Sequence, residues 1–192
     1  MATLGQIGIP GVGNGILHPK HKNRWRITFA GMAGAAATAD LSLQAISASR
    51  PSLTFEEIKL DRYNSTAYIG GKHSWDPLTV TVEDDITGRA SIVVQQQLEM
   101  QQKLIGADGA WLNASSSASG YKFATKLEML DGNEGVIETW RMEGCWIQNS
   151  NYGDLDYSAS EAVTIALTVR FDHARQDLTG SGLGTALGGN AA

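Results

Sequence analysis

The 192-residue sequence holds one cysteine, Cys145. An intrachain disulfide is therefore impossible, and zinc motifs built on paired cysteines are excluded. Positive charge is also scarce: 15 Lys and Arg stand against 20 Asp and Glu, for a net charge of −5. A nucleic-acid binder would need a basic face to neutralise phosphates, so that class is disfavoured. No apolar run approaches the roughly 20 residues that span a bilayer. The opening MATLGQIGIPGVGNG has neither a basic n-region nor an apolar h-region, so it does not read as a secretory signal. The expected location is the interior of the cell that makes the chain. What remains is 42 % hydrophobic and 18 % charged, the balance of a globular chain with one sizeable core.

Composition divides the chain into a glycine-rich extension at 1–22, a body at 23–172 and a glycine-rich tail at 173–192. Ile7, Ile9, Val12, Ile16 and Leu17 are apolar hooks spaced along the first extension. A solvated tail has no use for them, whereas an arm that docks on a neighbouring surface does.

The body repeats mostly with period two, the mark of strands with one wet face. Trp25, Ile27 and Phe29 share a face, as do Leu41, Leu43 and Ala45, until Ile46 breaks the phase and suggests a bulge. Pro51 should interrupt the ladder ahead of LTFEEIKL. Leu78, Val80 and Val82 form a further strand. YKFATKLEML and GVIETWRMEGCWI read as a hairpin around Asp131 and Gly132, with Trp140, Met142 and Trp146 on one face. Val163, Ile165, Leu167, Val169 and Phe171 make the cleanest alternation. One segment near 88–105 has a helical period, with Ala90, Val93, Val94, Leu98, Met100, Leu104 and Ile105 on one arc and Gly106 as its stop. Gln97 and Gln101 fall inside that arc, which points to contact on more than one side. The pattern gives a mainly β fold, an antiparallel sandwich or barrel with one packed helix. Three stretches, 60–74, 106–120 and 148–158, read as long irregular loops.

Candidate sites are few. In SWDPLTVTVEDD the acid-rich end precedes the helix, so Asp84 and Asp85 read as cap and dipole partners rather than as metal ligands. Asp76 stays unassigned. His18 and His21 lack a third ligand, and the basic run from Lys20 to Arg26 reads as a solvated hinge or a partner for an acidic neighbour. Cys145 reads as a buried, inert thiol. The glycine runs at 11–15 and 180–184 match no phosphate loop. No Ser/His/Asp constellation can be placed, so no catalytic site, metal site or cofactor is expected.

Taken in order, RWRITF, the proline break, WDPLTVTVEDD, the helix and EGCWIQNSNYGDLDYSASEAVTIALTVRFDH resemble the tail tube proteins of contractile-tailed bacteriophages. Their kin are the tubes of R-type bacteriocins and the Hcp tube of type VI secretion. The likeness covers 23–172. It implies a virion structural protein that is not an enzyme, made in the host bacterial cytoplasm. It implies hexameric rings whose sheets join into one closed barrel, stacked into a hollow tube for DNA ejection. The implied partners are further copies of the chain, the sheath, baseplate and tail terminator proteins, and the tape measure protein and DNA that pass through the lumen, with no membrane. The tube of a bacteriocin or type VI-like system is the alternative. Ring-to-ring contacts are expected from the arm hooks and from Arg62, Tyr63, Tyr68 and Lys72; Val94, Leu98, Leu104 and Ile105 are expected to pack the helix. A reading from a different class is a monomeric carbohydrate-binding sandwich with Trp111, Tyr152 and Tyr157 as aromatic platforms.

Overall fold

A computed structural model describes residues 20–32, 41–102, 120–132, 135–158 and 160–177. Nine strands run in the order β1 (Trp25–Ala30), β2 (Ala45–Ala48), β3 (Leu53–Arg62), β4 (Ser65–Trp75), β5 (Leu78–Glu83), β6 (Phe123–Leu130), β7 (Val136–Asn151), β8 (Thr164–Arg170) and β9 (His173–Asp177). Among the described residues a short helical stretch at 41–43 precedes β2, so the expected single helix is not alone, and the helix α1 (Arg89–Gln101) follows β5. Seven strands form a sheet along the path β1-β6-β7-β8-β5-β2, with β9 paired to β7; β3 and β4 pair only with each other. Within the described residues of one chain the sheet is open, with β1 and β2 at the ends of its path, and no barrel closes within the chain; the closed barrel that the resemblance implies is one joined between subunits.

Contacts divide the chain into two compact units. The described part of one holds 20–26, 127–132, 135–140 and 176–177; that of the other holds 27–32, 41–102, 120–126, 141–158 and 160–175. The larger unit has the apolar core. Leu78, Val80 and Val82 of β5 pair in register with Val169, Leu167 and Ile165 of β8, and all six are buried. The intervening threonines face outward, as period two dictates. Beside β5, the register of β2 slips between Ala45 and Ser47, where the bulge at Ile46 was expected. Pro51 does stand in the break before β3.

Four local readings need correction. Residues 41–43 are helical, so Leu41 and Leu43 are not strand neighbours; Leu41 is buried and Leu43 exposed. The stretch 60–74 is no loop, since β3 and β4 fill it. It hides because almost every residue of both strands is exposed, and a segment wet on both faces shows no alternation. The loop expected at 148–158 starts only after Asn151, and His173–Asp177, placed in the tail, pairs as β9. In β7 the expected face of Trp140, Met142 and Trp146 holds only as far as Met142. Gly144 sits at φ 68, and beyond it the inward positions are Cys145 and Ile147 while Trp146 turns partly outward. A left-handed residue inside a strand is a bulge that shifts the pleat by one residue. Val163 precedes β8 and is exposed.

Candidate assembly surfaces

The acid-rich end of β5 divides its carboxylates. The helix N-cap position is Gly88, with no side-chain bond to it. Asp85 reaches past it: Oδ1 accepts the Arg89 N–H at 3.1 Å and Oδ2 the Thr87 hydroxyl at 2.7 Å. The Thr87 hydroxyl first, then the Arg89 N–H, hold the Asp85 carboxyl below the usual carboxylate range. Asp84 takes no such role; its backbone N–H donates to Val163 O, and one carboxylate oxygen is buried without a partner. The Asp76 N–H donates to Ser52 O at the mouth of the β3–β4 pair. A lowered folded pKa adds stability above the unfolded pKa and loses it as pH falls through the folded one. Asp85→Asn is therefore expected to weaken protection of the Arg89 amide at neutral pH and to leave it unchanged near pH 2, as read by hydrogen exchange. Among the described residues no group of three or more His, Cys, Asp or Glu is placed to hold a metal ion. Burial pushes the Cys145 thiol up, and its Sγ lies 3.5 Å from Met142 O.

The two glutamines in the helix arc are bound within the chain. Gln97 is fully buried, and its Nε2 donates to Tyr121 O at 2.6 Å. Gln101 is a two-point clamp on β7: Nε2 donates to Ile147 O and Oε1 accepts Ile147 N–H, both at 3.0 Å. A side-chain amide here reproduces the donor–acceptor pair of a neighbouring strand, where the β7–β8 register slips between Ile147 and Asn149. Val94 is buried and Leu98 half-buried on the same helix; Leu104 and Ile105 lie outside the described residues. Truncating Gln101 to alanine strands a backbone donor and acceptor, a loss of about 1–3 kcal/mol. The expected result is a lower denaturation midpoint with faster exchange of the Ile147 amide; unchanged protection at Ile147 would contradict the clamp.

In the smaller unit the basic run is also engaged. Lys20 pairs with Glu138, whose carboxylate also accepts the Trp140 indole N–H at 2.6 Å; Arg26 pairs with Glu128, and Arg24 donates to Asp131 O at 2.7 Å. Glu128 and Glu138 are both buried. Glu138 shares the buried parity of Met142, whereas Glu128 is buried on the face opposite Leu127 and Met129.

The β3–β4 ribbon is the largest unpartnered feature. Its strands pair from Leu53↔Trp75 to Arg62↔Ser65, leaving the two-residue turn Tyr63-Asn64. The register slips between Phe55 and Glu57. Beside that slip a Cβ on Gly71 would meet Glu56 O at 3.0 Å, so glycine lets the strands close there. At the base, Trp75 lies 5.7 Å from the Phe171 ring and 6.4 Å from His173, anchoring the ribbon to the larger unit. Opposed residues share a face. Toward the turn, one face therefore carries Ile58, Ile69, Leu60 and Ala67, and the other Lys59, Tyr68, Asp61 and Thr66. Ile58 is 50 % and Ile69 53 % exposed. Arg62, Tyr63, Tyr68 and Lys72 all lie on this ribbon and are exposed. The arm residues Ile7, Ile9, Val12, Ile16 and Leu17 lie outside the described residues, as does Trp111, whereas Tyr152 and Tyr157 share the loop after β7.

An open antiparallel sheet, one packed helix and a long free-standing ribbon define the class of fold seen in contractile injection assemblies. A chain of the anti-feeding prophage cap, described as a tube terminating cap, matches with TM-score 0.66 at 12 % identity, covering 90 % of this chain and 100 % of that one. A chain of the extracellular contractile injection system PVC sheath–tube complex in its extended state matches with TM-score 0.62 at 10 % identity, covering 93 % and 100 %. At these identities the likeness is one of fold. In sequence, the chain is 28 % identical over 169 residues to the tail tube protein of Serratia phage KSP90, covering 85 % of this chain and 90 % of that protein. The resemblance read from the sequence is met by this relative. No family model matches the chain.

Proposed function

We propose that this chain is the tube protein of a contractile injection device, the inner tail tube of a phage. Copies join through the sheet edges β1 and β2 into hexameric rings, and rings stack into a hollow conduit for DNA enclosed by a sheath. The carrying observation is the β3–β4 ribbon: 21 strand residues (10 in β3 and 11 in β4) with an exposed apolar row and, among the described residues, no strand partner beyond each other. An extended pair of that length reaches about 30 Å, far enough to lie along a neighbouring ring. Burying a free-standing apolar row needs a second molecule, and the same ribbon on every subunit gives a head-to-tail contact that repeats without end. The open sheet supports ring closure, because joining edge to edge removes the unpaired backbone groups that an edge strand exposes. The phage assignment takes precedence over other injection tubes because the 28 % relative is a phage tail tube protein, whereas the injection-system chains share 10–12 %.

The fold calls for no chemistry, and the function proposed is mechanical and structural. Negative-stain electron microscopy of the purified full chain tests it directly: rings and tubes with a central channel are expected. A chain that stays monomeric at every concentration would overturn the reading. A variant lacking residues 1–22 is expected to form rings but short tubes or none; long tubes from it would remove the arm from the ring-to-ring contact while leaving the ribbon.

A further inference from the structure

We propose that Glu138 is the positioning residue of the N-terminal extension: its buried carboxylate latches Lys20 and so fixes the point where the extension joins the body. That the extension then makes ring-to-ring contacts rests on the function proposed above. The latch itself stands on the geometry of the smaller unit alone.

No buried apolar side chain holds the described chain ahead of β1, because residues 20–24 are all exposed. Among the described residues, its side-chain ties to the rest of the body are cationic. Lys20 Nζ meets Glu138 Oε2 on β7, and Arg24 donates to Asp131 O, beside the turn between β6 and β7, at 2.7 Å. The main chain adds one bond, from Leu130 N–H to Arg24 O at 2.9 Å. Within β1, Arg26 meets Glu128 on β6. The stretch 20–26 is thus a strap tied to both strands of one hairpin and to its turn. The turn is shaped for the strap: Gly132 lies at φ 96, and a Cβ there would overlap the Arg24 guanidinium.

The Lys20 tie is the outermost of these, and only it reaches ahead of Arg24. Glu138 is fully buried, and its other carboxylate oxygen accepts the Trp140 indole N–H at 2.6 Å. That second bond fixes the direction in which the carboxylate faces the strap. The Lys20 side chain is 44 % exposed, so charge rather than packing draws it to the buried acid. An ion pair with one buried partner is screened by salt less than a pair on the open surface. Without the latch, residues 20–23 would lose their tie to the hairpin, which adds four residues of slack behind the 19 that precede Lys20. A tethered segment finds its target at an effective concentration that falls as its tether lengthens. The loss per subunit is small, and a ring junction repeats it on every subunit.

The test uses the full chain labelled with fluorotryptophan. Lys20→Met is expected to move the fluorine resonance of Trp140, which shares the Glu138 carboxylate. It should also speed trypsin cleavage after Lys22 at least about tenfold, because a freed strap opens more often. Rings should still form, with the tube fraction reduced several-fold under electron microscopy. Glu138→Gln, which keeps an acceptor for Trp140, should match Lys20→Met in cleavage and in tubes. Lys20→Arg keeps the charge and should restore all three readings. In a full chain already carrying Ile7→Ser and Ile9→Ser, adding Lys20→Met should cost no further tubes, since the latch acts through the extension. An unmoved Trp140 resonance with unchanged cleavage would overturn the latch. Faster cleavage with undiminished tubes, or a further loss of tubes in the combined variant, would overturn the positioning role. A wild type that stays monomeric while Lys20 still sets the cleavage rate rejects the tube and keeps the latch.

Discussion

Ile58→Asp combined with Ile69→Asp is expected to yield rings that do not stack. The two isoleucines face each other across the ribbon pair and are about half exposed. Full burial of such a side chain is worth about 1.5–3 kcal/mol, so covering the exposed half of both contributes about 2 kcal/mol per subunit. A ring junction would repeat that term once per subunit, which makes stacking steeply sensitive to the pair. Aspartate removes the apolar area and adds a charge whose burial is unfavourable. The ribbon supplies no strand to the seven-stranded sheet, so ring formation through the sheet edges is expected to survive. Sedimentation velocity should show a species of ring size with the tube fraction reduced at least about tenfold. Long tubes from this variant would take the ribbon out of the stacking contact.

Gly144→Val is expected to be the most destabilising single change in the larger unit. The position lies at φ 68, where a β-branched residue is strained by about 1–2 kcal/mol or more. A Cβ there would also overlap the Asp172 carboxylate, which pairs with Lys122. Displacing that carboxylate raises the expected loss to about 3 kcal/mol. For a chain of this size the melting temperature should fall by about 6–12 °C. Gly144→Asn keeps some access to the left-handed region and should separate the two causes. If valine and asparagine cost the same, the overlap with Asp172 dominates; a melting point unmoved by either would contradict the bulge.

The parts of the fold legible in the sequence share one property: a single wet face. Leu78, Val80 and Val82, and Ile165, Leu167 and Val169, alternate because threonines on the other side meet solvent. The ribbon has no such contrast. Its apolar residues are exposed like its charged ones, its phase slips after Phe55, and Gly70-Gly71 reads as a loop. The four ribbon residues expected at ring contacts were nevertheless placed on an exposed segment that extends from the main sheet. The bulge at Gly144 did leave a signal, an isolated glycine inside a strand pattern. The glutamines of α1, inside the apolar arc, pointed to contact on more than one side of the helix. The structure spends them on backbone groups of Tyr121 and Ile147, partners that no periodicity can reveal. Glu138, on the parity of Met142, was the legible half of its ion pair with Lys20; Glu128, on the face opposite Leu127 and Met129, left no such signal for Arg26.

The phase shift in β7 also limits how this strand can change length over evolutionary time. Glu138 and Met142 before Gly144 and Cys145 and Ile147 after it obey opposite parities, and a second slip follows between Ile147 and Asn149. Loss of Gly144 itself would leave Met142 and Cys145 two positions apart and both still inward, whereas loss or gain of one residue between the bulge and the next slip would turn the side chains of that stretch to the other face. Loss or gain of two would preserve the facing of every side chain. Length variants of this strand are therefore expected to differ by even numbers between Met142 and Asn151, with odd steps falling at Gly144 or at the slip between Ile147 and Asn149.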